Sequence, residues 1–142
     1  MDQIQELVTK YLPGPGLLPA WNLIAASTAV IYAVQNLLSD KGSKLVYLNG
    51  AKQGLVNPLQ SRNFGIWSLT SGMVRFYVAY NITNPVVYNI GLGTYVIALF
   101  HFLSEWLVFG TCALGGGVVS PIIVASTSIV WMVSQREFYV GA

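Results

Sequence analysis

The chain has 142 residues, of which 54% are hydrophobic and only 8% are charged. Soluble domains carry about 25% charged residues, so this composition leaves almost no chain for a soluble domain and favours a membrane protein. The formal net charge of +2, without any block of basic residues, gives no support for nucleic-acid binding, and the single cysteine excludes an intramolecular disulfide.

Four apolar stretches along the chain predict an all-α membrane protein. A helix needs about 20 apolar residues to cross the hydrocarbon of a bilayer. The first and third stretches meet this length, whereas the second and fourth depend on tilt or on their flanking residues. Short connections favour antiparallel neighbours, so we expect one domain over residues 1–142 with four transmembrane helices in an antiparallel up-down bundle. The expected spans are roughly 17–38, 64–80, 86–109 and 118–133.

The N-terminal segment precedes the first span and contains a helix-breaking stretch. Residues 2–10 predict a short surface helix, which the sequence LPGPGLLP then ends. Within the first span, Ala25, Ala29 and Ala33 recur every four residues and form a stripe of small side chains. Such a stripe lets a second helix pack closely, so we expect a helix–helix interface there.

The segment 39–63 is the longest predicted loop, and it separates the first two spans. Its side of the membrane carries four Lys and Arg residues, against two on the side of the chain termini. Because positively charged loops tend to remain in the cytosol, this weak asymmetry favours a cytosolic position for the long loop.

Arg75, His101 and Glu105 are the ionisable residues expected inside the membrane, where such residues are costly and need an explanation. At about 1.5 Å per residue, Glu105 lies about 30 Å from the turn at 81–85, and Arg62 lies about 28 Å from it. The two should be level, and we expect Arg62 to be the charge partner of Glu105. Arg75 is only about 9 Å from the same turn, so we expect it to snorkel to the nearer interface.

His101 and Glu105 are one helical turn apart and share a face of the third span. Three roles stay open for the pair: a structural or interface role, ligand or proton handling, and catalysis with Ser104 or Thr111 as a neighbouring group. An i, i+4 pair of this kind is more often structural. Further polar residues should gather at the same end of the bundle, namely Gln35, Asn36, Asn57, Gln60, Asn63 and Thr111.

Metal and cofactor chemistry find little support in the sequence. A metal site needs three or four ligands, usually His, Cys or carboxylate. The chain has one histidine, one cysteine and one acid expected within the membrane. There is no phosphate-binding loop and no dinucleotide-binding fingerprint, so we expect no cofactor.

Three stretches, taken together, resemble a known family. LQSRNFGIWSLTSGMVR lies at 59–75, HFLSEWLVFGT at 101–111 and SPIIVASTSIVWM at 120–132. In this order and spacing they are similar to the small endoplasmic-reticulum membrane proteins of the ergosterol biosynthetic protein 28 family. The resemblance extends over about residues 17–133.

The resemblance implies a non-catalytic scaffold in the endoplasmic-reticulum membrane. Its partners would be the enzymes of sterol C-4 demethylation, which are a sterol C-4 methyl oxidase, a sterol C-3 dehydrogenase/decarboxylase and a 3-ketosteroid reductase. The resemblance carries over no catalytic residue. The family pattern falls on ten positions of the second and third spans, which are Arg62, Phe64, Gly65, Trp67, Arg75, His101, Ser104, Glu105, Gly110 and Thr111.

Two other functions stay open beside the scaffold. A small membrane sterol isomerase would use His101 and Glu105 for proton transfer. A lipid carrier would need polar residues near the middle of the bilayer, whereas the helical rise places the polar cluster toward one end. In every case we expect contact with membrane lipid, and we allow for self-association of the chain.

Overall fold

The computed structural model describes residues 2–141, except for the side chains of Asp2, Gln5, Val8 and Thr9. This described part of the chain is all-helical, as predicted. Its helices are α1 Asp2–Tyr11, α2 Leu18–Leu38, α3 Lys41–Val46, α4 Leu48–Lys52, α5 Pro58–Tyr80, α6 Pro85–Leu107, α7 Gly116–Ser134 and α8 Arg136–Val140.

Three of these helices, α2, α6 and α7, are long and apolar enough to cross a membrane. Large apolar side chains are exposed on their outer faces, as contact with lipid requires. Examples are Ile31, Ile97, Ile123 and Val130. Helix α5 has 23 residues and is also long enough, but its polar side chains lower its hydropathy. By length and composition together, the structure therefore supports three of the four predicted spans.

The segment 39–63 is not the continuous loop that the sequence predicted. Helices α3 and α4 occupy much of it, and α5 begins at Pro58, well before the expected start of the second span. The reason is an N-terminal cap: the side chain of Asn57 accepts a backbone N–H of the first turn at 3.0 Å, and proline follows it. The dipeptide Asn84–Pro85 starts α6 in the same way.

Helix α2 packs most extensively against α5, and small residues on both helices allow this close approach. A Cβ atom added at Gly65 would lie 3.0 Å from the carbonyl oxygen of Ala33. One added at Gly72 would lie 3.1 Å from the carbonyl oxygen of Ala26 and 3.3 Å from Cβ of Ala29. The small-residue stripe of α2 is therefore a helix–helix interface, and the two helices run antiparallel.

Contacts also join the remaining long helices. Val78 of α5 packs against Gly91 of α6, and Tyr88 of α6 donates a hydrogen bond to the carbonyl of Met132 in α7 at 2.6 Å. At the other end of α6, α4 bonds to the turn at 108–115 through the carbonyl of Thr111, and we term this end, which also carries α3, the loop end. The opposite end, which carries α8, is termed the terminal end.

Replacing Gly72 with leucine should force α2 and α5 apart, because the added side chain meets the backbone of α2. We expect a loss of about 1–3 kcal/mol, as for overpacking of a close interface, measured as a lower midpoint of thermal unfolding in detergent. Gly93→Leu is the matched control, since no atom lies within 4 Å of a Cβ added there. Equal midpoints for the two variants would contradict this account of the interface.

Candidate functional site at the loop end

An open groove of about 660 Å³ lies between α5 and α6 at the loop end. Polar side chains from both helices line it, and several of them belong to the polar cluster expected from the sequence. The polar residues of the groove include Asn57, Gln60, Asn63, His101, Ser104 and Glu105. The structure thus brings together residues that are far apart in the sequence, such as Asn57 and Glu105, which are separated by 48 positions.

Aromatic rings form the wall of this groove. The first turns of α5 contribute Phe64 and Trp67, whose ring centroids are 5.6 Å apart. The ring of Trp67 also lies 5.2 Å from that of His101, and Phe64 meets Phe102 edge to face at 6.4 Å. Aromatic pairs stabilise a packed core by more than the burial of their apolar surface alone would give. This wall therefore fixes α5 against α6.

His101 is held by a hydrogen bond to a residue outside the long helices. Its Nε2 atom lies 2.7 Å from the hydroxyl of Tyr47, which is only 6% exposed. Burial raises the pKa of Tyr47, with Cys112 and Glu105 adding to the effect. Tyr47 therefore keeps its proton, and the direction of its hydrogen bond with Nε2 follows the tautomer of His101. No pattern in the sequence pointed to Tyr47, which is 54 positions from His101 and lies between two short helices.

Glu105 organises the turn that follows α6. Its carboxylate accepts a hydrogen bond from the hydroxyl of Thr111, and its backbone carbonyl accepts the N–H groups of Thr111 at 2.9 Å and Cys112 at 3.2 Å. Gly110 supplies the positive φ of 66° that this reversal needs. The carbonyl of Thr111 then accepts the N–H groups of residues 49 and 50, so Glu105 indirectly ties α4 to the end of α6.

The predicted ion pair between Arg62 and Glu105 is wrong. Among the described residues, the structure has a single ion pair, between Lys44 and Asp40 at 2.8 Å. Arg62 lies near the loop end of α5, as expected. However, its side chain is exposed and shares the outer face of α5 with Ile66 and Leu69. Helical phase explains the difference, because the depth of a residue does not determine its face.

The prediction that Arg75 snorkels to the interface is also wrong. Arg75 is only 8% exposed, and its Nε atom donates to the hydroxyl of Thr94 at 3.2 Å. Its guanidinium lies 4.1 Å from the ring centroid of Tyr95. A cation–π contact and a hydroxyl acceptor on α6 thus hold the side chain inside the protein.

A buried polar cluster joins α2, α3 and α5 close to the groove. The hydroxyl of Ser43 donates to the side-chain oxygen of Asn36 at 2.7 Å. The hydroxyl of Ser61 lies 3.0 Å from the carbonyl of Asn36 and 3.1 Å from that of Ser39. The sequence placed Asn36 at this end, but nothing in it distinguished these serines from other serines of the chain.

His101 and Glu105 do not form the hydrogen bond to each other that a catalytic acid–base pair would make. In the described part of the chain, His101 bonds to Tyr47 and Glu105 bonds to Thr111, but the two do not bond to each other. Ser104 donates to the carbonyl of His101 at 2.9 Å. No three His, Cys, Asp or Glu side chains converge as metal ligands among the described residues. The geometry is that of a packed and internally bonded helix end.

Cys112 lies beside this site but is poorly suited to nucleophilic chemistry. It is 2% exposed, and burial raises the pKa of its thiol to about 11, with Thr111 opposing this shift and Glu105 adding to it. The thiolate is the reactive form of cysteine. At neutral pH the side chain is therefore a protonated, apolar member of the core.

Comparison with known proteins identifies the family. The sequence model described as Erg28 like protein matches residues 18–130. The chain belongs to the Erg28 family. It is 44% identical to Ergosterol biosynthetic protein 28 of Candida albicans over 96% of both chains. The protein of the same name from Schizosaccharomyces pombe is 47% identical, over 88% of this chain and 90% of the relative.

A more distant yeast relative of this Erg28 family member also matches over most of both chains. Ergosterol biosynthetic protein 28 of Saccharomyces cerevisiae is 39% identical, over 89% of this chain and 84% of its own length. No solved structure gives a significant match. The family resemblance that the three sequence motifs indicated is thereby confirmed.

Thr111→Val should weaken the loop end, because it removes the hydroxyl that Glu105 accepts and leaves a partly buried carboxylate without that donor. We expect a loss of about 1–2 kcal/mol, measured by thermal unfolding in detergent. Thr70→Val is the matched control, since the exposed Thr70 bonds only to a carbonyl of its own helix. A Thr111→Val protein as stable as the control would show that the carboxylate does not organise the turn.

Proposed function

We propose that this chain is a non-catalytic scaffold of the endoplasmic-reticulum membrane in sterol biosynthesis. Its partners are a sterol C-4 methyl oxidase, a sterol C-3 dehydrogenase/decarboxylase and a 3-ketosteroid reductase, which it holds together so that intermediates pass between neighbours. The names of its relatives, which refer to ergosterol biosynthesis, support the pathway. The sequence motifs at 59–75, 101–111 and 120–132 support the finer role.

One observation carries the non-catalytic part of this proposal. The polar groups of the loop end are engaged in bonds that hold the chain's own helices: His101 with Tyr47, Glu105 with Thr111, and Ser104 with its own helix. General acid–base catalysis needs a side chain that can exchange a proton with the substrate. Using these groups in that way would require breaking the contacts that end α6, which favours a structural role.

The scaffold is a single membrane domain whose four long helices form an antiparallel up-down bundle, with α5 as the fourth span. The low hydropathy of α5 does not oppose this arrangement, because three of its polar residues, Ser61, Ser68 and Arg75, are buried. Its exposed large apolar residues include Ile66, Leu69, Met73, Phe76 and Tyr77. A helix that presents apolar residues outward and polar residues inward is suited to lipid.

The loop-end groove is the surface at which we expect a partner to dock. The small-residue stripe of α2 is already occupied by α5, so it is not free for another protein. The groove remains open and combines apolar side chains with polar ones, including the exposed Phe100 and Ile97. Polar groups beside an apolar contact surface favour one docking geometry for a helix over others.

The proposal is tested by purifying the tagged chain from mild detergent and identifying its partners by mass spectrometry. We expect the oxidase, the dehydrogenase/decarboxylase and the reductase to be recovered together. Ile97→Trp should lower their recovery severalfold, because Ile97 lines the groove. Ile90→Trp is the matched control, since Ile90 is similarly exposed on the same helix but lies outside the groove, with exposures of 55% for Ile90 and 58% for Ile97.

Two results would contradict the scaffold. One is recovery of the chain without any of the three enzymes. The other is conversion of a 4-methylsterol by the purified chain alone, which would revive the isomerase hypothesis and direct attention back to His101. In that case His101→Ala should abolish the conversion, whereas a scaffold should lose partner recovery instead.

A further inference from the structure

A second cavity lies among the helices, and it shares Phe64 and Trp67 with the wall of the loop-end groove. It has a volume of about 200 Å³, and residues of α2, α3, α5, α6 and α7 line it. Arg75 is the one charged side chain of its lining among the described residues. Since Arg75 is only 8% exposed, the cavity holds a cation that is almost completely removed from solvent.

The guanidinium of Arg75 is only partly satisfied by the protein. Its Nε atom donates to Thr94, and one face of the group lies over the ring of Tyr95. The two terminal nitrogens have no acceptor in the described part of the chain, and no carboxylate there lies within 4.0 Å of them. The cavity lining therefore includes a cation whose terminal donors are unpaired, and an oxyanion is the group that would accept from them.

The chemistry of Tyr95 keeps the guanidinium in place. The Tyr95 hydroxyl donates to the side-chain oxygen of Asn22 at 2.9 Å, and Asn22 in turn donates to the carbonyl of Leu18 at 3.0 Å. This chain of bonds fixes the ring on which Arg75 rests. At this position Arg75 is part of the cavity lining.

The rest of the lining is divided between hydroxyl groups and apolar side chains. Ser68, Ser71 and Ser120 supply hydroxyls that can donate to an oxyanion. Apolar lining residues include Ala98, Phe102, Val124 and Ala125. Its lining residues Thr28 and Tyr32 of α2 and Ser120 of α7 are exposed, so the cavity reaches the outside between these two helices. In a membrane protein, this opening faces the lipid.

We propose that this cavity binds the oxyanion head, a carboxylate or a phosphate, of an amphiphilic lipid whose chain leaves between α2 and α7. The planar guanidinium is the side chain best suited to pair with such a head through two parallel hydrogen bonds. The volume holds the head and the first part of a chain, and the remainder lies in the membrane. This site does not depend on the scaffold function.

The test is equilibrium binding of radiolabelled palmitic acid to the full-length chain in uncharged detergent. We expect saturable binding with one site per chain. Hexadecyl phosphate should compete, while hexadecanol, which has the same chain without the charge, and inorganic phosphate, which has the charge without the chain, should compete at least tenfold more weakly. Equal competition by hexadecanol, or by inorganic phosphate, would overturn an amphiphile site.

The variants separate this site from unspecific partitioning. Arg75→Gln should weaken palmitate binding at least tenfold, whereas Arg62→Gln, which alters an exposed arginine of the same helix, should leave it unchanged. Arg75→Lys keeps the charge and should recover part of the affinity. Unchanged binding by a folded Arg75→Gln protein would overturn the proposal.

A second variant decides the matter if Arg75→Gln does not fold. Ser71→Leu keeps Arg75 and fills part of the cavity, since Ser71 lines it and is half-buried. We expect a folded Ser71→Leu protein, checked by its thermal unfolding, to bind palmitate at least tenfold more weakly. Binding equal to that of the unaltered chain would contradict the site.

Discussion

A polar group that enters hydrocarbon must be hydrogen-bonded within the protein, and this requirement decides how the helices of this chain meet. Asn36 joins α2 to α3 and α5 through two serine hydroxyls. Asn22 joins α2 to α6 through Tyr95, and Arg75 joins α5 to α6 through Thr94. These polar residues are thus placed between helices, and most of the large side chains on the outer surface are apolar.

The same constraint accounts for the bonding of the polar groups at the loop end. His101 and Glu105 line the open groove, and each of them also bonds to another residue of the chain. What remains for other molecules is surface: the groove between α5 and α6, and the internal cavity at Arg75. The relatives that the chain matches carry names that refer to ergosterol biosynthesis.

The sequence was sufficient for the helices and for the level of each residue along them, but not for the face on which a residue lies. The lengths of the apolar stretches predicted the long helices. The rise per residue of a helix predicted that Arg62 and Glu105 lie at the same depth. Yet Arg62 faces outward and Arg75 inward, because α5 turns its small and polar face toward α2 and α6. Tyr47 was missed because only the folded chain brings the segment between α3 and α4 against His101.

The central claim is that α5 crosses the membrane with its polar face inward, and spin labelling of single cysteines along α5 tests it most directly. In lipid bilayers, with Cys112 replaced, labels at Ile66, Leu69 and Met73 should be accessible to oxygen and protected from a water-soluble nickel complex. A label at the exposed loop residue Gln53 should show the reverse. Labels on α5 as accessible to nickel as the loop label would place this helix in water and contradict the account.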